Sequence, residues 1–277
     1  MSARPAATGS TARPGPMTPL QHLRNLLFYV HIALATLVIG LLGLPALRQG
    51  REGANRIATR WIAHLVWAAR VYMGLTCEIR GTPPADDCIV AAKHQCFWDI
   101  LIIAHAVPRR AFIMKREVMR VPIMGWYAWK TGCIPIDRSK GRNAMAAIST
   151  TINARMAAEG LGQLIIYPEG TRTLPGQRRP YKQGVATIRS GTGLPVVPVA
   201  VNTGLFWPRA GWGIRSGRAV VEFLPVIGPD VPAEGLLPRL EAEIETHSDR
   251  LMAEAGLVLP VPDDADGAAR DQGHLSS

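Results

Sequence analysis

Residues 88–107, CIVAAKHQCFWDILIIAHAV, place a short apolar run, a polar break and a longer apolar run in succession. The first run, CIVAA, is typical of a buried strand, and WDILIIAHAV is long enough for a helix. The same alternation of short and long apolar runs continues towards the carboxyl terminus. Strands that alternate with helices predict an α/β fold with a mixed, largely parallel sheet flanked by helices.

The remaining elements of this α/β domain, predicted over residues 81–258, follow from the same pattern. Further strands are predicted at residues 111–114, 132–136, 163–167, 195–201 and 219–224, and further helices at 122–130, 142–160 and 233–255. The strand at 195–201 contains Pro195 and Pro198. Because proline removes a donor from the ladder of hydrogen bonds, we expect this strand at a sheet edge or beside a bulge. Residues 259–277 are polar and predict a flexible tail.

The amino-terminal quarter of the chain has a different composition. Residues 1–17 are small and rich in proline, which predicts a disordered tail. Residues 25–47 form an apolar run of the ~20-residue length that crosses a bilayer, in which Pro45 should end or kink the helix. Residues 55–75 combine arginine and tryptophan at helical spacing, which suits a membrane interface. We therefore expect a membrane-attaching helical pair over residues 18–80, with a buried core helix as the alternative.

Composition narrows the class of partner. The net charge is +10 and the pI is about 10.0, so an acidic partner is expected: anionic lipid, a phosphate-bearing substrate or nucleic acid. Nucleic acid is disfavoured, because no nucleic-acid-binding motif is present. The four cysteines show no CxxC spacing, which favours reduced thiols over disulfides or a zinc site. Among them, Cys96 is predicted to be a buried bystander, and no His or Cys spacing requires a metal.

Polar residues follow the predicted strands at the points where the strands end. His94 follows the first strand, Asp137 and Arg138 follow the third, and residues 168–172, PEGTR, follow the fourth. Ligands of open α/β sheets bind outside the carboxyl ends of the strands. We therefore expect these turns to converge on one site, in which a guanidinium group would suit a phosphate.

His94 and Asp99 lie five positions apart, which allows two interpretations. On a continuous helix they would point ~140° apart, so a contact between them requires a loop before the helix. In the first interpretation, Asp99 orients the imidazole of His94 for proton transfer. In the second, Asp99 is an ordinary charge at a helix amino terminus and His94 is merely exposed.

Four segments in this order make the chain resemble the glycerophospholipid acyltransferase family, and within it the 1-acyl-glycerol-3-phosphate acyltransferases. The HxxxxD block is His94–Asp99, the block similar to GxxxIDR is Gly132–Arg138, the EGTR block is Glu169–Arg172, and the proline-containing strand is Leu194–Val199. The resemblance covers about residues 85–205. Tyr167 departs from the phenylalanine that often precedes PEGTR in the family.

The resemblance implies a reaction and a role for each motif. His94 would act as general base and Asp99 would orient it. The acceptor would be bound by Arg138, Glu169, Gly170, Thr171, Arg172 and Lys182. The acyl group would pass from acyl-CoA or acyl-carrier protein to the sn-2 hydroxyl of 1-acyl-glycerol-3-phosphate, giving phosphatidic acid without a further cofactor. The enzyme would lie on the inner membrane, with its catalytic domain on the cytoplasmic side.

Two alternatives stay open at this point. Another lysolipid, such as lyso-ornithine lipid, would suit the same motifs, because its carboxylate could also bind two arginines. The chain could instead be a membrane-surface lipid-binding protein without catalysis, although the intact motif residues argue against that.

Overall fold

The computed structural model describes residues 17–136, 141–228 and 230–258. The helices are α1 (Pro19–Leu42), α2 (Gly50–Ala68), α3 (Phe97–Ala106), α4 (Met124–Thr131), α5 (Gly141–Glu159), α6 (Gly184–Thr192) and α7 (Ala233–Glu254). The strands are β1 (Leu75–Arg80), β2 (Cys88–Ala92), β3 (Arg110–Lys115), β4 (Ile134–Ile136), β5 (Gln163–Ile166), β6 (Val196–Val201) and β7 (Gly217–Phe223). Both predicted tails, residues 1–17 and 259–277, lie outside the described residues except for Met17.

The seven strands form one sheet in the order β1-β7-β6-β2-β5-β3-β4. Every neighbouring pair is parallel except β6 and β7, which are antiparallel. This arrangement confirms the predicted mixed, largely parallel sheet. Because β2, β5 and β6 are parallel neighbours at its centre, the loops that follow them emerge at the same edge.

Side chains of β2 alternate between two hydrophobic layers, as the period of a strand requires. Val90 and Ala92 face a layer built with α1, α2 and α3. Ile89 and Ala91 face a second layer built with α5, α6 and α7. All of β2 is buried, which explains why its sequence is a continuous apolar run.

The proline-containing strand is central, so the predicted edge position is wrong. β6 lies between β2 and β7 and is buried throughout. The alternative expectation of a bulge agrees with the register. Val196 bridges Ile227, whereas Val199 pairs with Phe223, so the partner chain holds one extra residue opposite Pro198. The missing N–H of proline therefore falls where the ladder is already interrupted.

Two elements were absent from the sequence prediction. β1 is an edge strand that pairs with β7, about 140 residues away in the chain, and its residues fell inside the predicted helical pair of residues 18–80, for which no strand was expected. The short helix α6 was also not predicted, because its segment, GVATIRSGT, is rich in glycine and threonine. The sheet therefore begins at Leu75, before the predicted boundary at residue 81.

Helix α1 begins earlier than predicted because Thr18 and Gln21 form a capping box around Pro19. It ends at Leu42, and Pro45 lies in the following 3-10 turn, as its restricted backbone requires. One face of α1 packs on the domain: Asn25 accepts a hydrogen bond from the backbone of Ile214, and Trp61 of α2 donates to Thr36.

The opposite face of α1 is apolar and exposed. Its exposed side chains are Leu20, Leu23, Leu26, Leu27, Val30, Leu34, Leu37, Val38, Leu41 and Leu42. The helix is long and apolar enough to cross a bilayer, with a mean hydropathy of 2.1 over its most apolar window, of which 17% is buried. A largely exposed apolar helix does not fit the alternative of a core helix. It indicates that the protein associates with a membrane.

Candidate active site

A cavity of about 1180 Å³ opens at the carboxyl edge of the sheet. Its walls come from α1, α2, α3, α4 and β3, and its lining extends from His94 at that edge to Arg110 at the first residue of β3. The mouth is lined by the turn that follows β5 and by the start of α6. Two of the predicted turns, those after β2 and β5, therefore converge on one cavity.

His94 lies in the loop between β2 and α3, and its ring contacts Asp99 in the first turn of α3. The distance from His94 Nδ1 to Asp99 Oδ1 is 3.0 Å. The Asp99 side chain is fully buried, and 12% of the His94 side chain is exposed. Because a carboxylate only accepts, Nδ1 carries the proton, and Nε2 is the nitrogen left to accept a proton from a substrate.

The second oxygen of Asp99 caps the helix. Asp99 Oδ2 accepts hydrogen bonds from the backbone N–H groups of Gln95 and Cys96, each at 2.8 Å. Asp99 therefore contacts the imidazole with one oxygen and caps the helix with the other, so the expectation that His94 is merely exposed is wrong. The bonds to the backbone fix the carboxylate rigidly, and the fixed carboxylate holds the imidazole in one orientation.

Tyr167 forms a wall behind the imidazole. The rings of Tyr167 and His94 stack with centroids 3.9 Å apart and an angle of 20° between their planes. Burial, together with the negative charge of Asp99, raises the pKa of the Tyr167 hydroxyl well above its usual value, so the hydroxyl is protonated at neutral pH. The sequence marked Tyr167 only as an unusual residue before PEGTR, and its contact with His94 depends on β2 and β5 being neighbours.

Glu169 supports the His94 loop from the side away from the cavity. Its side chain is fully buried, and Oε2 accepts from the backbone N–H of His94 at 2.8 Å. Oε1 accepts from Lys93 Nζ at 3.0 Å and from the Thr173 hydroxyl at 2.9 Å. Both oxygens therefore have protein partners, and Glu169, which was predicted to bind the acceptor, is absent from the cavity lining.

Gly170 allows the turn after β5 to come close to a lysine. Its φ of +66° is in the left-handed region, and a Cβ atom here would lie 2.7 Å from Lys182 Nζ. The mouth of the cavity is lined by Thr171 and Arg172, which come directly after Gly170, and by Lys182, which faces the turn.

Arg209 joins these residues at the mouth, although the sequence analysis did not single it out. It lies in the loop after β6, and its carbonyl oxygen accepts a hydrogen bond from Arg172 Nη1 at 3.3 Å. Within the described part of the chain, none of Arg172, Lys182 and Arg209 forms an ion pair with a carboxylate. This cationic rim suits an anionic group, such as a phosphate, at the entrance. Arg209 could have been identified as a site residue from the sequence, because it is a basic residue in the loop after β6, a strand parallel to β2.

Arg138, predicted as a further phosphate ligand, lies outside the described residues, as does Asp137. Cys96 is fully buried, and burial raises the pKa of its thiol to about 12, which keeps the thiol protonated at neutral pH. Among residues 17–136, 141–228 and 230–258, no group of three or more His, Cys, Asp or Glu side chains could hold a metal ion.

Known proteins with similar sequences are acyltransferases. Residues 76–202 match the family described as Acyltransferase. The 1-acyl-sn-glycerol-3-phosphate acyltransferase of Pseudomonas aeruginosa is 31% identical over 245 residues, which cover 86% of this chain and 92% of that protein. The alpha form of the enzyme of the same name from Bos taurus is 28% identical over 209 residues, covering 73% of this chain and 69% of that protein.

The fold also has a solved counterpart. The crystal structure of the 1-acyl-sn-glycerophosphate acyltransferase of Thermotoga maritima aligns with a TM-score of 0.69 and 24% sequence identity, covering 84% of this chain and 98% of that one. At this identity the likeness shows a shared fold. The fold similarity and the sequence match to the Pseudomonas protein both extend over most of the chain.

Proposed function

The chain belongs to the acyltransferase family that includes the 1-acyl-sn-glycerol-3-phosphate acyltransferases, and from this premise we propose that it acylates the free sn-2 hydroxyl of 1-acyl-glycerol-3-phosphate to give phosphatidic acid. The observation that carries the proposal is the oriented His94–Asp99 pair at the mouth of an apolar cavity, beside the cationic rim of Arg172, Lys182 and Arg209.

His94 is the general base in this mechanism. Its Nε2 accepts the proton of the acceptor hydroxyl while the hydroxyl oxygen attacks the thioester carbonyl carbon. The tetrahedral intermediate collapses with cleavage of the C–S bond, and the imidazolium returns the proton to the departing thiolate. General-base assistance of this kind contributes ~10²–10⁴-fold to the rate. Asp99 favours the imidazolium and keeps Nε2 directed at the substrate.

The acyl chain of the donor occupies the apolar cavity. Ile100, Leu101 and Ala104 of α3 and Phe112 of β3 line its deeper part, where they would surround methylene groups. The donor is acyl-CoA or acyl-carrier protein, each of which supplies an already activated acyl group as a thioester. No further cofactor takes part in the steps described.

The acceptor enters from the membrane with its phosphate at the cationic rim. Arg172, Lys182 and Arg209 bind the phosphate, and Thr171 lies beside them. The exposed apolar face of α1 holds the mouth at the bilayer surface, where a lysophospholipid dissolved in the membrane reaches His94. We place the protein on the inner membrane with its catalytic domain on the cytoplasmic side, because the thioester donors are made in the cytoplasm.

Acyl transfer by the purified protein in detergent tests the proposal. Wild type, His94→Ala and His105→Ala are each given oleoyl-CoA or oleoyl-acyl-carrier protein with lysophosphatidic acid or lyso-ornithine lipid. His105, exposed near the end of α3 and absent from the cavity wall, is the matched control. We expect wild type and His105→Ala to form phosphatidic acid and a folded His94→Ala to lose at least ~10²-fold in kcat. Faster turnover of lyso-ornithine lipid than of lysophosphatidic acid would assign the former as the acceptor. Absence of turnover with every donor–acceptor pair would reject the proposed acyl transfer.

A further inference from the structure

A buried cluster of charges lies directly beneath the His94 loop. Lys93 and Glu169 have fully buried side chains, and the side chain of Glu245 on α7 is 3% exposed. Lys93 Nζ donates to Glu169 Oε1 at 3.0 Å and to both oxygens of Glu245 at 2.8 Å. The Tyr181 hydroxyl donates to Glu245 Oε1 at 3.0 Å. The ammonium group therefore joins the turn after β5 to a helix near the carboxyl terminus.

Lys93 and His94 are neighbours in the chain, but their side chains face opposite sides of the sheet. The backbone N–H of Lys93 donates to Val199, which continues the β2–β6 ladder by one residue. Lys93 thus follows the alternation of Ile89 and Ala91, towards α7, and His94 turns to the cavity side. A contact made by Lys93 below the sheet therefore fixes the backbone from which the imidazole projects.

The connection to His94 runs through Glu169. Its Oε2 accepts from the His94 N–H, while Oε1 accepts from Lys93 and from the Thr173 hydroxyl. The His94 carbonyl oxygen accepts from the backbone N–H of Thr173 at 2.7 Å. Both peptide groups of His94 are thus anchored to the segment 169–173, and Lys93 with Glu245 determines where Glu169 lies.

Stability alone does not require this cluster. Burial raises the pKa of the Glu245 carboxyl, and the positive charge of Lys93 only partly opposes that effect. Apolar residues in the place of a buried ion pair often stabilise a protein at least as well. Glu245 also lies outside residues 76–202, which match the acyltransferase family, so that match assigns it no role.

We propose that Lys93 and Glu245 are positioning residues for acyl transfer, which hold Glu169 and through it the imidazole of His94. The inference rests on the proposed function, because its readout is turnover. A displacement of the general base of about 1 Å can cost ~10²-fold in rate. Because neither residue lines the cavity, we expect the loss to fall on kcat and to leave KM for donor and acceptor unchanged.

The proposal is tested by steady-state kinetics of wild type, Lys93→Met, Glu245→Gln, Glu169→Gln and the double variant Lys93→Met/Glu245→Leu. Glu243→Gln is the matched control, since Glu243 is on the same helix in a half-exposed pair with Arg239. We expect kcat to fall by ~10–100-fold in both single variants with KM within about twofold of wild type, and Glu243→Gln to match wild type. Adding Glu169→Gln to Lys93→Met should cause little further loss, since both changes break one connection.

The double variant separates positioning from stability. It removes one positive and one negative charge, whereas Lys93→Met leaves Glu169 and Glu245 both without their cation, so we expect the thermal midpoint of the double variant to exceed that of Lys93→Met while kcat stays low. A wild-type kcat in the double variant would overturn the proposal, as would a rise in KM without a fall in kcat. It would also be overturned if the fold losses in kcat from Lys93→Met and Glu169→Gln multiplied when the two changes are combined. If wild type turns over and the variants have the same kcat, the positioning role is rejected and the proposed function stands. Absence of turnover in wild type and Glu243→Gln would reject the proposed function and this inference with it.

Discussion

Replacing Ala104 by phenylalanine should shorten the acyl chains that the protein accepts. Ala104 is 2% exposed and lines the cavity seven residues after Phe97, the first residue of α3. At ~1.5 Å per residue it lies about 10 Å deeper than the helix start. With C–C bonds of about 1.5 Å, an all-trans chain advances roughly 1.25 Å per bond and reaches this depth after about eight carbons.

The methylene groups beyond that depth would lose their burial in the variant. A sixteen-carbon chain has roughly six more methylenes than a ten-carbon chain, and at ~0.8 kcal/mol each the full loss is about 5 kcal/mol. Since the chain can bend and the wall can relax, we expect at least a ~10²-fold fall in the ratio of kcat/KM for palmitoyl-CoA to that for decanoyl-CoA, about 2.7 kcal/mol.

The assay compares both donors in wild type, Ala104→Val and Ala104→Phe with one acceptor. Turnover of decanoyl-CoA close to wild type is the internal control for folding, and Ala104→Val should give an intermediate ratio. An unchanged ratio in an active Ala104→Phe would refute the assignment of this cavity to the donor chain. A change in preference for the acceptor's chain length would assign the cavity to the lysolipid instead.

Three further predictions concern the mouth of the cavity. Asp99→Asn should lower kcat by ~10²–10⁴-fold with little change in KM, because an amide in place of the carboxylate no longer favours the imidazolium; thermal denaturation checks the fold, and kcat above a tenth of wild type would contradict the role of Asp99. Arg209→Ala should raise KM for lysophosphatidic acid by about tenfold, the effect of losing one charge-assisted hydrogen bond, and an equal KM in titrations of the acceptor would remove Arg209 from the phosphate site. Iodoacetamide at pH 8 should leave Cys96 unmodified and activity intact, because burial raises the pKa of this thiol to about 12. Mass spectrometry of the treated protein checks this, and carbamidomethyl-Cys96 in a folded but inactive enzyme would contradict the prediction.

The sequence predicted most helices and strands within two residues of their bounds, but it missed β1 and α6 and misplaced the ends of α1 and α2. β2 and α7 were recognisable because local hydrophobic periodicity matches the surface that each buries. β1 was not, because it is a strand only through its pairing with β7. The central position of β6 was likewise hidden, since a bulge opposite Pro198 depends on the partner strand.

The candidate site shows the same division. His94, Asp99, Gly170 and Arg172 were identified because motif spacing places them after strands whose carboxyl ends share an edge. The stacking of Tyr167 on His94 and the contribution of Arg209 could not be predicted, because they require the order of strands in the sheet.

The local sequence by itself determined which side chains of this protein can accept a proton, which can bind an anion, and where a strand ends and a helix begins. These side chains come together only when the sheet forms, because the order of the strands, and not distance along the chain, determines which loops are neighbours. Glu245 illustrates this most clearly, since it contacts Lys93 from 152 residues away. Charges so far apart in the chain come together because burying the two layers around the sheet brings α7 beneath β2.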